Sequence, residues 1–182
     1  HLNYWSYLDK AVIAGNRFTR SAFGRVALRI NGRSSADQPT NNVLIRDNYI
    51  GGWIDPLSDT NAHSGKGVRY NLTLVQIGPN QLNLQWIQDI DFTHNTVVNG
   101  EGFLSIADSE NVRVRDNFFY TEDTYVGTDR TSIGHPWERR PNKNVLIENN
   151  TIVSNEARKA HAAVIGVRRY NATYPYEGYI VH

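Results

Sequence analysis

Asn111-Val112-Arg113-Val114-Arg115-Asp116-Asn117-Phe118-Phe119 is one of five similar segments in this chain of 182 residues. Each segment reads apolar, any residue, apolar, two polar or small residues, Asn, any residue, apolar. The other four segments are residues 11–18, 42–50, 89–97 and 144–152. The anchoring asparagines fall at positions 16, 48, 95, 117 and 150, so the intervals between them are 32, 47, 22 and 33 residues. Repetition on this scale indicates a repeat architecture.

The repeated pattern predicts two short strands joined by a corner. Apolar residues two positions apart are typical of a strand with one buried face. The two polar or small residues before Asn interrupt this alternation, so the chain must bend there. Asn suits a tight corner because it tolerates left-handed backbone geometry and bonds nearby backbone groups. One such unit cannot bury its apolar side alone, so we expect the units to stack, with each asparagine amide bonded to the next.

Leucine-rich repeats and parallel β-helices both stack units of this kind. Leucine-rich repeats carry a further apolar residue three positions before the pattern, and Thr40, Ser109 and Asn142 occupy that position in three of the five segments. Their repeat length also stays within about 20–29 residues, a narrower range than the intervals found here. The chain instead resembles a right-handed parallel β-helix, the fold of the pectate-lyase-like superfamily.

The fullest match to a β-helix coil is Gly102-Phe103-Leu104-Ser105-Ile106-Ala107-Asp108-Ser109-Glu110, which runs directly into the repeat at Asn111. The resemblance covers most of residues 4–170. It implies an all-β, right-handed parallel β-helix solenoid of about five to six coils with asparagine-lined corners. We expect residues 1–182 to form a single domain in which residues 168–182 cover the C-terminal end. Because the chain begins at His1 without a leader-like segment, we also expect it to be a piece of a longer β-helix.

The composition excludes several classes of function. Hydrophobic residues make up 40% of the chain and charged residues 20%, which is ordinary for a globular protein. A net charge of +1 favours neither a nucleic-acid partner nor a membrane surface. No apolar run approaches the roughly 20 residues of a membrane-spanning helix. Cysteine is absent, so the chain has no disulfide and no thiolate chemistry. The resemblance implies an extracellular or cell-surface location.

The resemblance also implies where a ligand would bind. In the pectate-lyase-like superfamily, polysaccharide lies along the strand face that precedes the corner segments, and loops border this face. Here that face would stack residues 26–30, 72–77, 103–107, 130–134 and 162–167. Alternation predicts outward side chains at Arg29, Gln76, Ser105 and Ser132. Stacking would bring them within a few steps of about 4.8 Å, although they are far apart in sequence.

Elimination on a uronate sugar requires three groups: one to neutralise the carboxylate, one to remove the neighbouring proton and one to assist the leaving oxygen. Arginine forks or Ca²⁺ can do the first, and Lys, Arg or His the second. The catalytic candidates are Arg29, Lys66 and His135. The candidates for substrate binding, from the strand face, its corners and its bordering loops, are Arg33, Arg69, Gln76, Asp108, Arg130, Trp137, Arg139 and Arg140.

The acidic residues do not predict a metal site. Some related lyases use calcium bound by several carboxylates, so the resemblance allows Ca²⁺ as a cofactor. The aspartates that could serve here are dispersed along the chain at positions 55, 59, 108, 123 and 129. We therefore predict no metal ligands.

Each candidate also has a structural interpretation. The segment His135-Pro136-Trp137 would shape a loop whose Trp covers the core, and Arg139 and Arg140 would be solvated charges. Asp108 would cap a turn. Arg29 has the strongest claim to a functional role, because a single cation on the strand face has little structural reason to be there.

Three functions fit these observations. The first is a secreted carbohydrate-active enzyme that acts on an acidic polysaccharide by β-elimination or epimerisation. Hydrolysis is less favoured because it needs paired carboxylates about 5–9.5 Å apart, and the outward face offers few acids. The second is a non-catalytic surface, spike or fibre module that binds glycan or partner subunits. The third is a fragment with half an active site, completed by neighbouring coils at the solenoid ends.

Overall fold

A computed structural model of the chain describes residues 3–21, 27–32, 36–52, 74–78, 86–98, 104–121, 133–134, 142–154 and 180–181. These residues form sixteen β-strands and no α-helix. The strands are β1 (Asn3–Ser6), β2 (Asp9–Ala14), β3 (Arg17–Ser21), β4 (Leu28–Asn31), β5 (Thr40–Arg46), β6 (Tyr49–Gly52), β7 (Val75–Ile77), β8 (Ile87–Thr93), β9 (Thr96–Val98), β10 (Leu104–Ile106), β11 (Ser109–Arg115), β12 (Phe118–Thr121), β13 (Ile133–Gly134), β14 (Lys143–Glu148), β15 (Thr151–Ser154) and β16 (Ile180–Val181).

The strands form three parallel sheets. Sheet A has the order β1-β4-β7-β10-β13, sheet B the order β16-β14-β11-β8-β5-β2, and sheet C the order β15-β12-β9-β6-β3. The first fifteen strands therefore enter sheets A, B and C in strict rotation, and each strand pairs with the equivalent strand of the next repeat. The prediction of an all-β fold of stacked parallel strands is confirmed, and the arrangement is consistent with a β-helix solenoid.

The repeated segments mark the passage from sheet B to sheet C. Each one contains the end of a sheet B strand, a corner and the start of a sheet C strand. In sheet A, the described strands β4, β7 and β10 overlap the ranges predicted for them. The predicted last core strand, residues 162–167, lies outside the described residues. Of the predicted tail, residues 168–182, the described part is β16, which pairs with β14.

Register partners of successive repeats form columns of buried apolar side chains. In sheet B one column contains Ile13, Ile45, Phe92, Val114 and Ile147, all at most 3% exposed. In sheet C a second column contains Phe18, Ile50, Val97, Phe119 and Ile152, and its two end members, Phe18 and Ile152, are partly buried. Among the residues that the structure describes, Phe92 and Phe119 are the largest fully buried side chains. Burial of each large apolar side chain contributes about 1.5–3 kcal/mol, so these columns hold the repeats together.

Hydrogen bonds join the five anchoring asparagines, called here the corner ladder, from one repeat to the next. Nδ2 of Asn16 donates to Oδ1 of Asn48 at 3.0 Å, and Nδ2 of Asn48 donates to Oδ1 of Asn95 at 2.9 Å. Nδ2 of Asn95 donates to Asn117 at 3.2 Å, and Nδ2 of Asn117 donates to Asn150 at 2.9 Å. The backbone N–H of each donor residue bonds the same oxygen. Amides in this arrangement satisfy backbone groups that the corner would otherwise leave unpaired.

The left-handed residue of each corner is not the asparagine but the residue before it. These residues are Gly15 (φ 67°), Asp47 (φ 56°), His94 (φ 53°), Asp116 (φ 56°) and Asn149 (φ 53°). The expectation that the anchoring asparagine itself turns the chain is therefore wrong at this point. Its amide is engaged in bonds between repeats, and the preceding Gly, Asp, His or Asn supplies the turn, residue types that tolerate left-handed geometry best.

No helix in the part of the chain that the structure describes has the length and hydropathy needed to cross a bilayer.

Candidate functional site

Three residues predicted to face outward share one row of sheet A. Arg29 of β4 is in register with Gln76 of β7, and Gln76 is in register with Ser105 of β10. Ser105 in turn pairs with Gly134 of β13. Alternation places this row on the face opposite the buried Leu28 and its equivalents. Neighbouring strands are about 4.8 Å apart, so Arg29 and Ser105 are separated by about 10 Å. We call these four residues the sheet A row.

Three members of the sheet A row have buried side chains, whereas alternation alone predicts an open face. Arg29, Gln76 and Ser105 are each 3% exposed. Nε of Arg29 donates to Oδ1 of Asn31 at 2.9 Å, and Asn31 is equally buried. A buried guanidinium must be hydrogen-bonded, because burial without partners is costly. The bond to Asn31 therefore orients Arg29 along its own strand.

Ser105 retains unused hydrogen-bonding capacity in the middle of the row. Its Oγ is buried and has no hydrogen-bond partner among the described residues. A hydroxyl can both donate and accept, and a buried one without a partner costs about 1–3 kcal/mol.

The other candidates in the bordering loops lie outside the described residues: Arg33, Lys66, Arg69, Arg130, His135, Trp137, Arg139 and Arg140. Chain connectivity nevertheless ties their segments to sheet A. Residues 53–73, which include Lys66 and Arg69, connect β6 to the residue before β7. Residues 122–132, which include Arg130, connect β12 to β13. His135 directly follows Gly134, the last residue of β13 and a member of the sheet A row.

Asp108 lies at the corner between sheets A and B and outside the sheet A row. Its backbone is left-handed with φ 52°, and its side chain is fully buried. Beside it, Oδ1 of Asn142 accepts a bond from the backbone N–H of Ser109 at 2.9 Å, and Nδ2 of Asn142 donates to the Ile106 carbonyl at 3.2 Å. The position of Asp108 supports a role in the turn, which the sequence offered as its structural interpretation.

An open cleft lies on the outward face of sheet B, a face on which the sequence predicted no site. Its volume is about 300 Å³. Five polar side chains line it together with Val43 and Leu44; they are Asn42, Asp89, Asp91, Asn111 and Arg113. A signal was present in the sequence, because four of the five segments carry Asn or Asp immediately before the first apolar residue.

The cleft is built on a column of irregular residues that runs across sheet B. Lys10, Asn42, Asp89, Asn111 and Asn144 all have left-handed backbones, with φ between 51° and 55°. Strand pairing passes over each of them: in β11 and β14, for example, the paired residues are Glu110 with Lys143 and then Val112 with Val145. The residues passed over lie opposite one another, so the register is the same on both sides of them and no strand has an extra residue relative to its neighbour. In each strand the left-handed residue interrupts the alternation and directs a second consecutive side chain outward, a local bulge that all five strands share. We call this set the bulge column.

Some polar side chains of the cleft form hydrogen bonds with one another, and two others form an ion pair. Nδ2 of Asn144 donates to Oδ1 of Asn111 at 3.0 Å, and Nδ2 of Asn111 donates to Oδ1 of Asp89 at 2.9 Å. On the next row outward, Arg113 and Asp91 form an ion pair with 3.7 Å between Nη1 and Oδ2. The side chain of Arg113 is 57% exposed and that of Asp91 33% exposed. Their charges are therefore available to solvent or to a ligand.

Among the described residues, no group of three or more His, Asp or Glu side chains is placed to hold a metal ion. Of the aspartates considered for calcium, Asp108 is buried at its corner. The other four, at positions 55, 59, 123 and 129, lie outside the described residues.

No protein-family model, curated protein or solved structure matches the chain. The three parallel sheets of stacked strands are compatible with a parallel β-helix.

Proposed function

We propose that the chain is a right-handed parallel β-helix of the pectate-lyase-like superfamily, with about five to six coils, and that it acts on a uronate-containing polysaccharide. The rotation of strands through three parallel sheets and the hydrogen-bonded corner ladder support this fold. The reaction we favour is β-elimination, and epimerisation would share its first step, removal of the proton beside the sugar carboxylate. A polysaccharide substrate places the protein outside the cell or on its surface.

The observation that carries the activity is the register of the sheet A row. Arg29, Gln76 and Ser105 occupy adjacent strands on the face that this fold uses for polysaccharide. The row ends at Gly134, and the next residue is the candidate His135. Neighbouring parallel strands are ~4.8 Å apart, so the distance from Arg29 on β4 to a group at the end of β13, three strands away, is about 15 Å. This distance is long enough for several sugar units.

The proposed chemistry divides three tasks among the catalytic candidates. Arg29 removes the proton beside the carboxylate. Lys66 and His135 neutralise the carboxylate and protonate the leaving oxygen, so that the C–O bond breaks as the C=C bond forms. Gln76 and Ser105 bind sugar hydroxyls, because both side chains can donate and accept hydrogen bonds.

The second candidate function is a non-catalytic surface, spike or fibre module that binds glycan or partner subunits. One observation favours it. Arg29 is 3% exposed and bonded to Asn31, so the cation has a structural task in holding the outer face of β4. In a non-catalytic rod of stacked strands, Arg29 would have this structural role alone.

Ultraviolet absorbance separates the two functions. The protein is incubated with alginate, pectate and chondroitin, each with and without calcium, and the absorbance of the unsaturated uronate product is followed. We expect a rise with at least one polysaccharide. No rise with any of them, and no exchange of the proton at the sugar carbon, would reject both elimination and epimerisation and favour the rod.

Variants test the role of Arg29 once a signal is found. We expect Arg29→Ala to abolish elimination and Arg113→Ala, an exposed cation of sheet B, to leave it unchanged. Arg29→Lys serves as a second variant that keeps the buried charge. Thermal unfolding of each variant verifies that it is folded. A folded Arg29→Ala protein with wild-type activity would exclude Arg29 from catalysis.

A further inference from the structure

Side-chain hydrogen bonds link neighbouring residues of the bulge column. This series of bonds, called here the bulge ladder, ends at the cleft. Bonds run from Asn144 to Asn111 and from Asn111 to Asp89. Asn42 occupies the next position in the column, one strand of about 4.8 Å further on. Its amide makes no hydrogen bond with any described residue, and it is exposed. The ladder is therefore interrupted between Asp89 and Asn42, where the cleft opens.

Asp91, beside this interruption, also lacks hydrogen-bond donors. Its Oδ1 is buried without a hydrogen-bond partner among the described residues. Its Oδ2 lies 3.7 Å from Nη1 of Arg113, longer than an ordinary charge-assisted hydrogen bond of about 2.7–2.9 Å. Because Oδ1 is enclosed, a donor from outside the protein would bond Oδ2, and one third of the side chain is exposed to receive it.

The cleft combines acceptors, donors and an aliphatic wall. Asp89 and Asp91 accept, the guanidinium of Arg113 donates, and the amide of Asn42 does both. Leu44, which is half-buried, contributes the apolar surface. Sugar rings match this mixture, because each hydroxyl both donates and accepts while the C–H groups pack against aliphatic side chains. A volume of about 300 Å³ is at the small end for ligand sites and suits one or two sugar rings.

The net charge of the cleft indicates which class of sugar it binds. Two carboxylates and one guanidinium leave the lining with a net charge of −1. This charge repels uronate and sulfated sugars, because like charges across an interface weaken binding. We propose that the sheet B cleft binds a neutral oligosaccharide, at a site separate from the sheet A row and independent of the elimination proposed there.

The binding test uses neutral and acidic sugars of equal length. Cellotetraose, mannotetraose and laminaritetraose are titrated into methyl-labelled protein, with tetragalacturonate as the acidic counterpart. We expect at least one neutral sugar to shift the Leu44 methyl resonances in a saturable way. Leu104, a buried side chain of sheet A outside the cleft, serves as the reference. Absence of a Leu44 shift with all three neutral sugars would overturn the proposal, and so would a larger shift with tetragalacturonate.

Two variants and a matched control locate the site. We expect Asp91→Asn to weaken binding of the neutral sugar about tenfold, because charge-assisted hydrogen bonds are roughly twice as strong as neutral ones. Arg113→Gln, on an exposed side chain, is expected to weaken it as well. Asp116→Asn makes the same chemical change at an exposed corner outside the cleft and should leave binding unchanged. Affinity within twofold of wild type in both Asp91→Asn and Arg113→Gln would contradict the assignment.

Testing each variant in both assays separates the cleft proposal from the elimination proposal at the sheet A row. Asp91→Asn should not alter any elimination activity, and Arg29→Ala should not alter the Leu44 shift. If the neutral sugar binds but no polysaccharide is cleaved, the cleft proposal stands and the elimination proposal fails. If loss of Arg29 in a folded protein also abolishes the Leu44 shift, the two sites are not independent and the cleft proposal fails.

Discussion

The corner ladder and the bulge column are built from the same kind of residue but differ in burial. In the corner ladder, Asn48, Asn95 and Asn117 are 1–3% exposed, and each bonds both its neighbour in the ladder and a backbone carbonyl. In the bulge column, Asn111 is half-buried and Asn144 is exposed, and each amide donates a single side-chain bond. The corner ladder runs without a break, whereas the bulge ladder ends at the cleft.

The difference shows that burial, and not residue type, decides what a stacked asparagine does. A buried amide must be satisfied inside the protein, because an unpaired buried polar group costs about 1–3 kcal/mol. An exposed amide can exchange its partner for water or a ligand at little cost. The corner ladder is therefore a structural element, and the interrupted bulge ladder is available for binding.

Asn95→Ala should have the largest effect on stability. Removal of the amide leaves the Ile45 carbonyl and the backbone N–H of Asn48 without their bonds inside a buried corner. At about 1–3 kcal/mol for each of these two unsatisfied groups, we expect the free energy of unfolding to fall by about 2–6 kcal/mol. Denaturant titration followed by circular dichroism measures the change. A loss of less than about 1 kcal/mol would mean that the corner ladder is not structural.

Phe119→Ala and Phe118→Ala extend the comparison to apolar side chains on one strand. Phe119 points inward and is fully buried, whereas Phe118 is 40% exposed, with its ring parallel to that of Tyr120 at 6.3 Å. We expect Phe119→Ala to cost about 3–5 kcal/mol because it leaves a cavity. Phe118→Ala should cost about 1 kcal/mol or less, the value of an aromatic pair. Equal costs for the two variants in denaturant titration would contradict the assigned faces of β12.

Asn111→Gly should have a small effect on stability, comparable with that of Phe118→Ala. Glycine keeps the left-handed backbone without strain, so the variant removes only the bonds to Asp89 and Asn144. Because these bonds are solvent-accessible, we expect a cost of about 1 kcal/mol or less. The same titration as for Asn95→Ala measures it, and a cost as large as that of Asn95→Ala would remove the distinction between the two ladders.

Much of the fold could be predicted because its determinants are local. Apolar alternation identified the inward column that contains Ile45, Phe92 and Val114, and the spacing of the asparagines identified the corners. The left-handed positions were missed because Gly, Asp, His and Asn occur there, and no single residue type marks the turn. The bulge column was missed although Asn or Asp precedes the first apolar residue in four of the five segments, because residue type at that position does not by itself show that the alternation is interrupted.

The candidate site could be predicted only in part. Alternation placed Arg29, Gln76 and Ser105 on one face, and their register agrees with it. Their burial could not be predicted, because the exposure of a strand face depends on segments far away in sequence. The cleft escaped for the same reason: Asn42 and Asp89, on neighbouring strands, are separated by 47 residues, the interval between Asn48 and Asn95. Aligning the repeats on their asparagines places Asn42 beside Asp89, but the alignment does not show that the side chains between them leave an open cleft.

The stacking order of the repeats is tested most directly by nuclear Overhauser contacts within one inward column of sheet B. Parallel stacking predicts contacts from the Phe92 ring to the Ile45 methyl groups and to the Val114 methyl groups, and from Val114 to Ile147. It predicts none between Ile45 and Ile147, which lie three strands and about 14 Å apart. Direct contact between Ile45 and Ile147, or a Phe92 ring that touches neither Ile45 nor Val114, would contradict the parallel stack on which both proposed sites depend.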